Sequence, residues 1–364
     1  MAARPPTRMR AVLLTGHGGY DRLEHRDDVP VPAAADREVL VEVAAAGVNN
    51  TDVNTRIGWY SKNVLAATDV GVDEGFAAAS GGDSAWTGVG VSFPRIQGAD
   101  CCGRIVAVGS GVDESRIGER VLVRPLMRSP AAPPPACVTL GSERDGAFAE
   151  YLTAPADEVY RVRCDWSDVE LASIPCAYST AENMLQRAGV SDGDRVLVTG
   201  ASGGVGSATV QLARRRGAEV VAIASEDKRG DVLALGADLV VRRGAALSDH
   251  PGAESVDVVV DVVGGPGWAS LLDVLRRGGR LVTAGAIAGP IVELDLRTLY
   301  LKDLTLIGTT YQEATVFSNL VGYVERDEIR PLVARTYPLR DIVQAQRDFV
   351  AKRFAGKLVL LVRD

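Results

Sequence analysis

Long hydrophobic runs are missing from this 364-residue chain: none approaches the roughly 20 residues that a bilayer span requires, so membrane insertion is not expected. Blocks of one charge are missing as well. Lys and Arg total 40 against 47 Asp and Glu, a net charge of −7, and nothing favours nucleic acid or an anionic membrane surface as a partner. The five cysteines, Cys101, Cys102, Cys137, Cys164 and Cys176, are odd in number and contain no CxxC pair. This speaks against a disulfide framework and fits a reducing cytoplasm. Only three histidines occur, His17, His25 and His250, each reading as a surface or turn residue. The opening residues 1–8 lack the apolar core of a signal peptide and read as a frayed tail.

What is present suits about two domains. Short β-type runs at 10–15, 39–45, 103–109 and 120–124, separated by turn-rich sequence, predict a small barrel-like β domain. Between Gly58 and Gly98 lies a Gly/Ala/Asp/Ser-rich insert with Trp59 and Tyr60 at one end and Trp86 and Phe93 at the other. Such a stretch is either a lid or a disordered loop. Residues 170–174 read as helical up to Pro175, and Ser179-Thr-Ala-Glu182 has capping-box spacing for a further helix through Gln186. From Arg195 strands and helices alternate, with apolar strands such as 256–263 that suit a sheet covered on both faces. A doubly wound α/β domain follows. Helices near 317–325 and 341–353 come next, and 357–362 is a terminal strand, expected at an edge of either sheet.

The most informative stretch is Thr199-Gly-Ala-Ser-Gly-Gly-Val-Gly206, where an apolar strand breaks into glycines and resumes as a helix. The first amides of a helix lack internal partners and its dipole places positive potential there, so the turn is an anion site. Gly200 permits the turn, Gly203 and Gly204 clear room for a diphosphate, and Gly206 lets helix and strand approach. Alone, the pattern also fits a tight turn without ligand. The next strand ends at Ala224-Ser225 with no carboxylate at its tip, where a ribose diol would call for one. Ser225 can donate to a 2′-phosphate and Lys228 or Arg229 can supply charge, which favours NADP over NAD. Otherwise Lys228 and Arg229 are simply the first turn of a helix.

The glycine turn also looks like the short-chain dehydrogenase fingerprint. That family's chemistry needs a tyrosine four residues before a lysine, a spacing absent here, and its fingerprint opens the chain. The order of β domain, nucleotide domain and return segment instead resembles the medium-chain dehydrogenase/reductase superfamily. The resemblance rests on Ala46-Gly-Val-Asn-Asn-Thr-Asp52, Gly98-Ala-Asp-Cys-Cys-Gly103, Gly118-Glu-Arg-Val-Leu-Val123, Gly146-Ala-Phe-Ala-Glu-Tyr151, Asp257-Val-Val-Val-Asp-Val-Val-Gly-Gly265, Gly278-Gly-Arg-Leu-Val282 and Gly356-Lys-Leu-Val359. It implies a GroES-like β-rich catalytic domain over 1–176, completed by 311–364, and a Rossmann-type doubly wound parallel-sheet domain over 177–310. The implied cofactor site comprises Thr180, Gly200, Ser202, Gly203, Gly204, Val205, Gly206, Ser225, Lys228, Gly285 and Ala286.

Zinc-dependent members hold their metal with cysteine, histidine and cysteine. At the matching positions this chain has Asn49, Ala99 and Cys176, and a single cysteine, Cys137, in the lobe that elsewhere holds a structural zinc. One thiolate and an amide do not make a zinc site, so no metal is expected. Cys176 is then a small buried residue or a thiol lining the cleft. The chain is similar to the zinc-independent quinone oxidoreductases, which implies hydride transfer from NADPH to a quinone or an α,β-unsaturated carbonyl compound. Asn49 and Tyr60 become candidate donors to the developing oxyanion and Asp52 a loop-ordering residue, a role open to Asn49 too. A reductase of enoyl thioesters is the alternative, with Arg124 and Arg128 as a thin candidate patch for a phosphorylated carrier. A cofactor-binding protein with little turnover is another. The expected partner beyond the substrate is a second copy of the chain, paired through an edge strand.

Overall fold

The computed structural model describes residues 5–79, 81–129 and 131–363. Of the expected N-terminal tail, residues 1–4 lie outside the described residues.

The first half is β-rich. Its strands are β1 (Arg8–Leu14), β2 (Leu23–Pro30) and β3 (Glu38–Gly47), then, after helix α1 (Asn50–Ile57), β4 (Arg95–Ile96), β5 (Cys102–Val108), β6 (Arg120–Val123), β7 (Leu126–Arg128), β8 (Cys137–Thr139), β9 (Tyr151–Pro155) and β10 (Val159–Arg161). The centre is β3, which pairs antiparallel with β5 and β9. Its apolar Val39, Val41 and Val43 are fully buried, as a strand with neighbours on both edges requires. A short helix α2 (Asp168–Leu171) follows, capped reciprocally by Ser167 and Glu170.

Helix α3 (Pro175–Arg187) begins at the proline that the sequence marked as a stop. Proline has no N–H to lose at the first helical position and its φ is already helical, so it starts the helix. The expected capping box at Ser179 is thereby overturned: Ser179 is buried in mid-helix, and Glu182 forms a two-pronged ion pair with Arg216 at 2.8 and 2.7 Å.

The second unit comprises β11 (Arg195–Val198), α4 (Gly204–Arg215), β12 (Glu219–Ala224), α5 (Arg229–Ala234), β13 (Leu239–Arg242), β14 (Val256–Asp261), α6 (Ser270–Asp273), β15 (Leu275–Thr283), α7 (Leu296–Leu301) and β16 (Thr305–Gly308). The six strands are parallel in the order β13-β12-β11-β14-β15-β16. The order reverses between β11 and β14, which opens a crevice beyond their C-terminal ends. Val196, Val198 and Val258 face a core shared with α3 and α4, while Leu197, Val221 and Val259 face a second one with Trp268 and Leu272. Burial on both faces explains the unbroken valine run of β14.

The closing segment, 311–364, divides between the two units. Helix α8 (Ala314–Glu325) packs Phe317, Leu320 and Val324 into the core containing α3. Strand β17 (Val333–Pro338), helix α9 (Ile342–Val350) and strand β18 (Lys357–Leu361) return to the β-rich unit. There β18 lies between β3 and β17, so the terminal strand is interior and not at an edge. This placement explains its continuous apolar sequence.

The described residues of the insert are tied down along its length. Phe76 N donates to Ile57 O at 3.1 Å, Ser84 Oγ lies 2.6 Å from His17 Nε2, and Thr87 N donates to Glu143 at 3.0 Å. The backbone of Thr68 crosses to the second unit, donating to Ile287 O at 3.0 Å. His17 stands in a turn and is half-buried, and burial lowers its pKa.

Candidate active site

At the crevice, β11 runs through Thr199 into Gly200, whose φ of 57° suits glycine. Gly203 caps α4, leaving the amides of Gly204, Val205 and Gly206 at the helix opening with no carbonyl a turn behind them. A Cβ on Gly206 would stand 2.2 Å from Gly200 O, so only glycine allows this approach. At Gly203 the nearest atom would be 3.3 Å away, and its exposed face is open to the crevice. A cradle of bare backbone with positive helix potential fits a diphosphate. Ser202 is buried, and its carbonyl accepts from Gly356 N at 2.8 Å.

Asp261, at the tip of β14, holds the neighbouring loop. Its carboxylate accepts from Thr199 Oγ1 at 2.7 Å, Val263 N at 3.0 Å and Gly264 N at 3.1 Å. Burial raises its pKa against these donors. Beyond it, Gly285 packs on Val262, which with Val263 borders Gly200, and Ala286 packs on Gly264. Thr180 is half-buried on α3, with its hydroxyl donating to Cys176 O at 2.8 Å. Gly200, Gly203–Gly206, Gly285 and Ala286 thus lie beyond the C-terminal ends of β11, β14 and β15, and Ala177 of α3 packs beside Gly204.

Farther along, Ser225 follows β12 and its hydroxyl pairs with Asp227, holding that exposed carboxyl below its usual range. Lys228 is buried and donates to the carbonyl of Lys352, in the segment before β18. Burial lowers its pKa, opposed by Asp227 and reinforced by Arg243. Lys228 is therefore anchored as part of a cationic corner and is not a freely swinging side chain.

In the first unit, Asn49 caps α1, whose first turn carries Thr51 and Asp52. The Asn49 amide is committed: Nδ2 donates to Asp100 Oδ2 at 2.7 Å and Gly47 O at 3.3 Å, while Oδ1 accepts from Lys357 Nζ at 2.5 Å. Both of its donor hydrogens are used, so this geometry gives Asn49 an ordering role and leaves no N–H for an oxyanion. Asp52 Oδ2 accepts from Asn49 N at 2.8 Å, closing a capping box on α1. Burial pushes the Asp52 carboxyl up to about 7, and Asp100 adds to this while the Asn49 amide and Lys357 oppose it. The Tyr60 hydroxyl donates to Thr51 Oγ1 at 3.1 Å, and burial raises its pKa. Trp59 and Trp86 flank the Tyr60 ring, with centroids 5.7 and 6.1 Å away.

Asp100, Lys357, Thr51 and Asp261 were missed by sequence reasoning. Each lies inside or beside a quoted motif, but nothing in the order of residues pairs positions 257 apart. Arg124 is a correction: it is buried, bonded to Glu158 at 2.5 and 2.7 Å and to Gln312 O at 2.9 Å, and so cannot receive a carrier phosphate. Among the described residues no three His, Cys, Asp or Glu side chains are grouped to hold a metal ion. Cys176 is buried, which raises its thiol pKa, and Ala99 offers no ligand atom.

Comparison with known proteins agrees with this architecture. Residues 35–163 match the alcohol dehydrogenase GroES-like domain and residues 204–326 the family described as zinc-binding dehydrogenase. A solved structure of a candidate alcohol dehydrogenase from Sinorhizobium meliloti 1021 is 47% identical, with a TM-score of 0.87, covering 98% of this chain and 97% of that one. The acryloyl-coenzyme A reductase of Metallosphaera sedula is 28% identical over 97% of this chain and 99% of its own length. The quinone oxidoreductase of Lama guanicoe is 29% identical over 98% of each. With both domain families matched in order and the fold shared end to end, the chain belongs to the medium-chain dehydrogenase/reductase superfamily and is an oxidoreductase of that type.

Proposed function

We propose that the protein uses NADPH, without zinc, to reduce a quinone or an α,β-unsaturated carbonyl compound. The observation that supports this reading is that Lys357, whose stem lies against Gly204 of the glycine cradle and whose ammonium bonds Asn49, ties the cradle to the α1 segment that carries the Tyr60–Thr51 hydroxyl pair, while Asn49, Ala99 and Cys176 offer a metal one thiol. Bound NADPH would supply the hydride. The chain's own residues bind and orient: α4 amides hold the diphosphate, Thr180, Gly285 and Ala286 line the nicotinamide half, and Lys228 with Ser225 holds the 2′-phosphate. Asp227 would have to turn from Ser225 into solvent, which its exposure allows.

Tyr60 O–H is the donor we assign to the carbonyl oxygen of the acceptor. Released from Thr51 it can hydrogen-bond a developing oxyanion, and the Thr51 hydroxyl can turn to donate a hydrogen bond to the phenol oxygen. Asn49 and Asp52 order the loop from which this pair projects. Trp59 and Trp86 wall the same end and exclude water from it.

Turnover of NADPH with a panel of quinones, enones and enoyl thioesters tests the reading. Oxidation with quinones or enones is expected; reaction with thioesters alone would favour the enoyl-thioester reductase, and tight NADPH binding without oxidation by any of them would favour the binding protein. We also infer a homodimer through β16, the edge of the parallel sheet, near which Leu296, Tyr300 and Leu301 are exposed. Light scattering giving a monomer mass would refute it.

A further inference from the structure

The mechanism above leaves unused the most deeply buried charge in the site. Lys357 is 2% exposed and Asp100 is not exposed at all. The ammonium has three hydrogens and three acceptors: Val48 O at 3.2 Å, Asn49 Oδ1 at 2.5 Å and Asp100 Oδ2 at 2.8 Å. The other oxygen of Asp100 accepts from Cys176 N at 2.6 Å, at the opening of α3 one turn before Thr180.

The stem of the same lysine lies against the cradle. A Cβ on Gly204 would stand 2.9 Å from Lys357 Cδ, and the preceding Gly356 is bonded to Ser202. One side chain therefore touches the diphosphate turn of the second unit, the loop before α1 in the first and, through Asp100, the opening of α3. These are the segments whose relative placement fixes where a nicotinamide ring would lie when its diphosphate is held.

We propose that Lys357, paired with Asp100, is a positioning residue that registers the nicotinamide half of the cofactor site against the diphosphate half. The proposal rests on the nicotinamide-cofactor reading above. A pair present only for stability is dispensable, because replacing both buried charges by neutral groups is often tolerated, whereas removing one partner leaves an uncompensated charge. A positioning pair is not dispensable in this way.

The test uses Lys357→Met and the double variant Asp100→Asn with Lys357→Met, each titrated with NADPH and with 2′-phospho-ADP-ribose, which lacks the nicotinamide. Thermal melts are followed by circular dichroism. The double variant should melt close to the unaltered protein, bind NADPH about tenfold more weakly (an effect of the size seen for one hydrogen-bonded group) and bind 2′-phospho-ADP-ribose within about twofold. Equal weakening of both ligands, or of neither, would overturn the proposal, as would failure of both variants to fold, since the cluster's role would then be structural. Failure of the unaltered protein to bind NADPH would instead refute the cofactor reading itself.

Discussion

The two ends of the crevice are built from different materials. The end assigned to the diphosphate is made of backbone: Gly200, Gly203, Gly204 and Gly206 in succession, a helix opening, and a carboxylate, Asp261, that braces the adjoining loop. The end assigned to the acceptor is made of side chains from widely separated segments, in two groups: Thr51, Tyr60 and Trp86 in one, and Asn49, Asp100 and Lys357, with the Cys176 backbone amide, in the other. An anion needs only unpaired amides and room, which a contiguous turn can provide. Holding a hydroxyl in place for a transient charge needs a network whose members come together only through the fold.

Three substitutions sharpen this contrast. Tyr60→Phe should have the largest effect, lowering kcat with a quinone or enone about a hundredfold, the typical loss for one oxyanion donor, while leaving the Kd for NADPH unchanged. A matching loss of NADPH binding would show that the two ends are not separable. Lys228→Ala should raise the KM for NADPH about tenfold, in keeping with one charge-assisted hydrogen bond, and change that for NADH by less than about twofold. Equal effects on both cofactors would remove the 2′-phosphate assignment and return Lys228 to the role its bond to the Lys352 carbonyl already gives it.

The smallest effect is on stability. Asp52 is raised from 3.8 in the unfolded chain to about 7, so the folded protein holds this proton more tightly than the unfolded one. The stability it contributes is complete below the unfolded value and is lost as pH rises from there through about 7. Between pH 5 and pH 8 the melting temperature of the unaltered protein should fall a few degrees further than that of Asp52→Asn, the order expected for a shift of this size. Parallel melting curves for the two proteins would contradict the assignment.

The same contrast explains what the sequence disclosed. The glycine turn, the valine-rich strand β14 and the alternation of strands and helices are local signals, and they predict the parallel sheet and its crevice from the sequence alone. The start of α3 was misread because Pro175 can either end one helix or begin another, and only the packing of Tyr178 and Ala181 into the core decides. Asn49 was legible as a site residue but not as one whose amide is already spent on Asp100 and Lys357. The insert could be read as lid or disorder. Its order comes from partners such as His17, Ile57 and Ile287, which its own composition does not announce.

In the proposed function, NADPH and side-chain hydroxyls perform the reduction without a metal. Steady-state oxidation of NADPH by a quinone or enone, measured before and after chelation on protein whose zinc content is determined in the same sample, tests it most directly. Far less than one zinc per chain and an unchanged kcat are expected. About one zinc per chain, with activity lost to the chelator and restored by zinc, would contradict it.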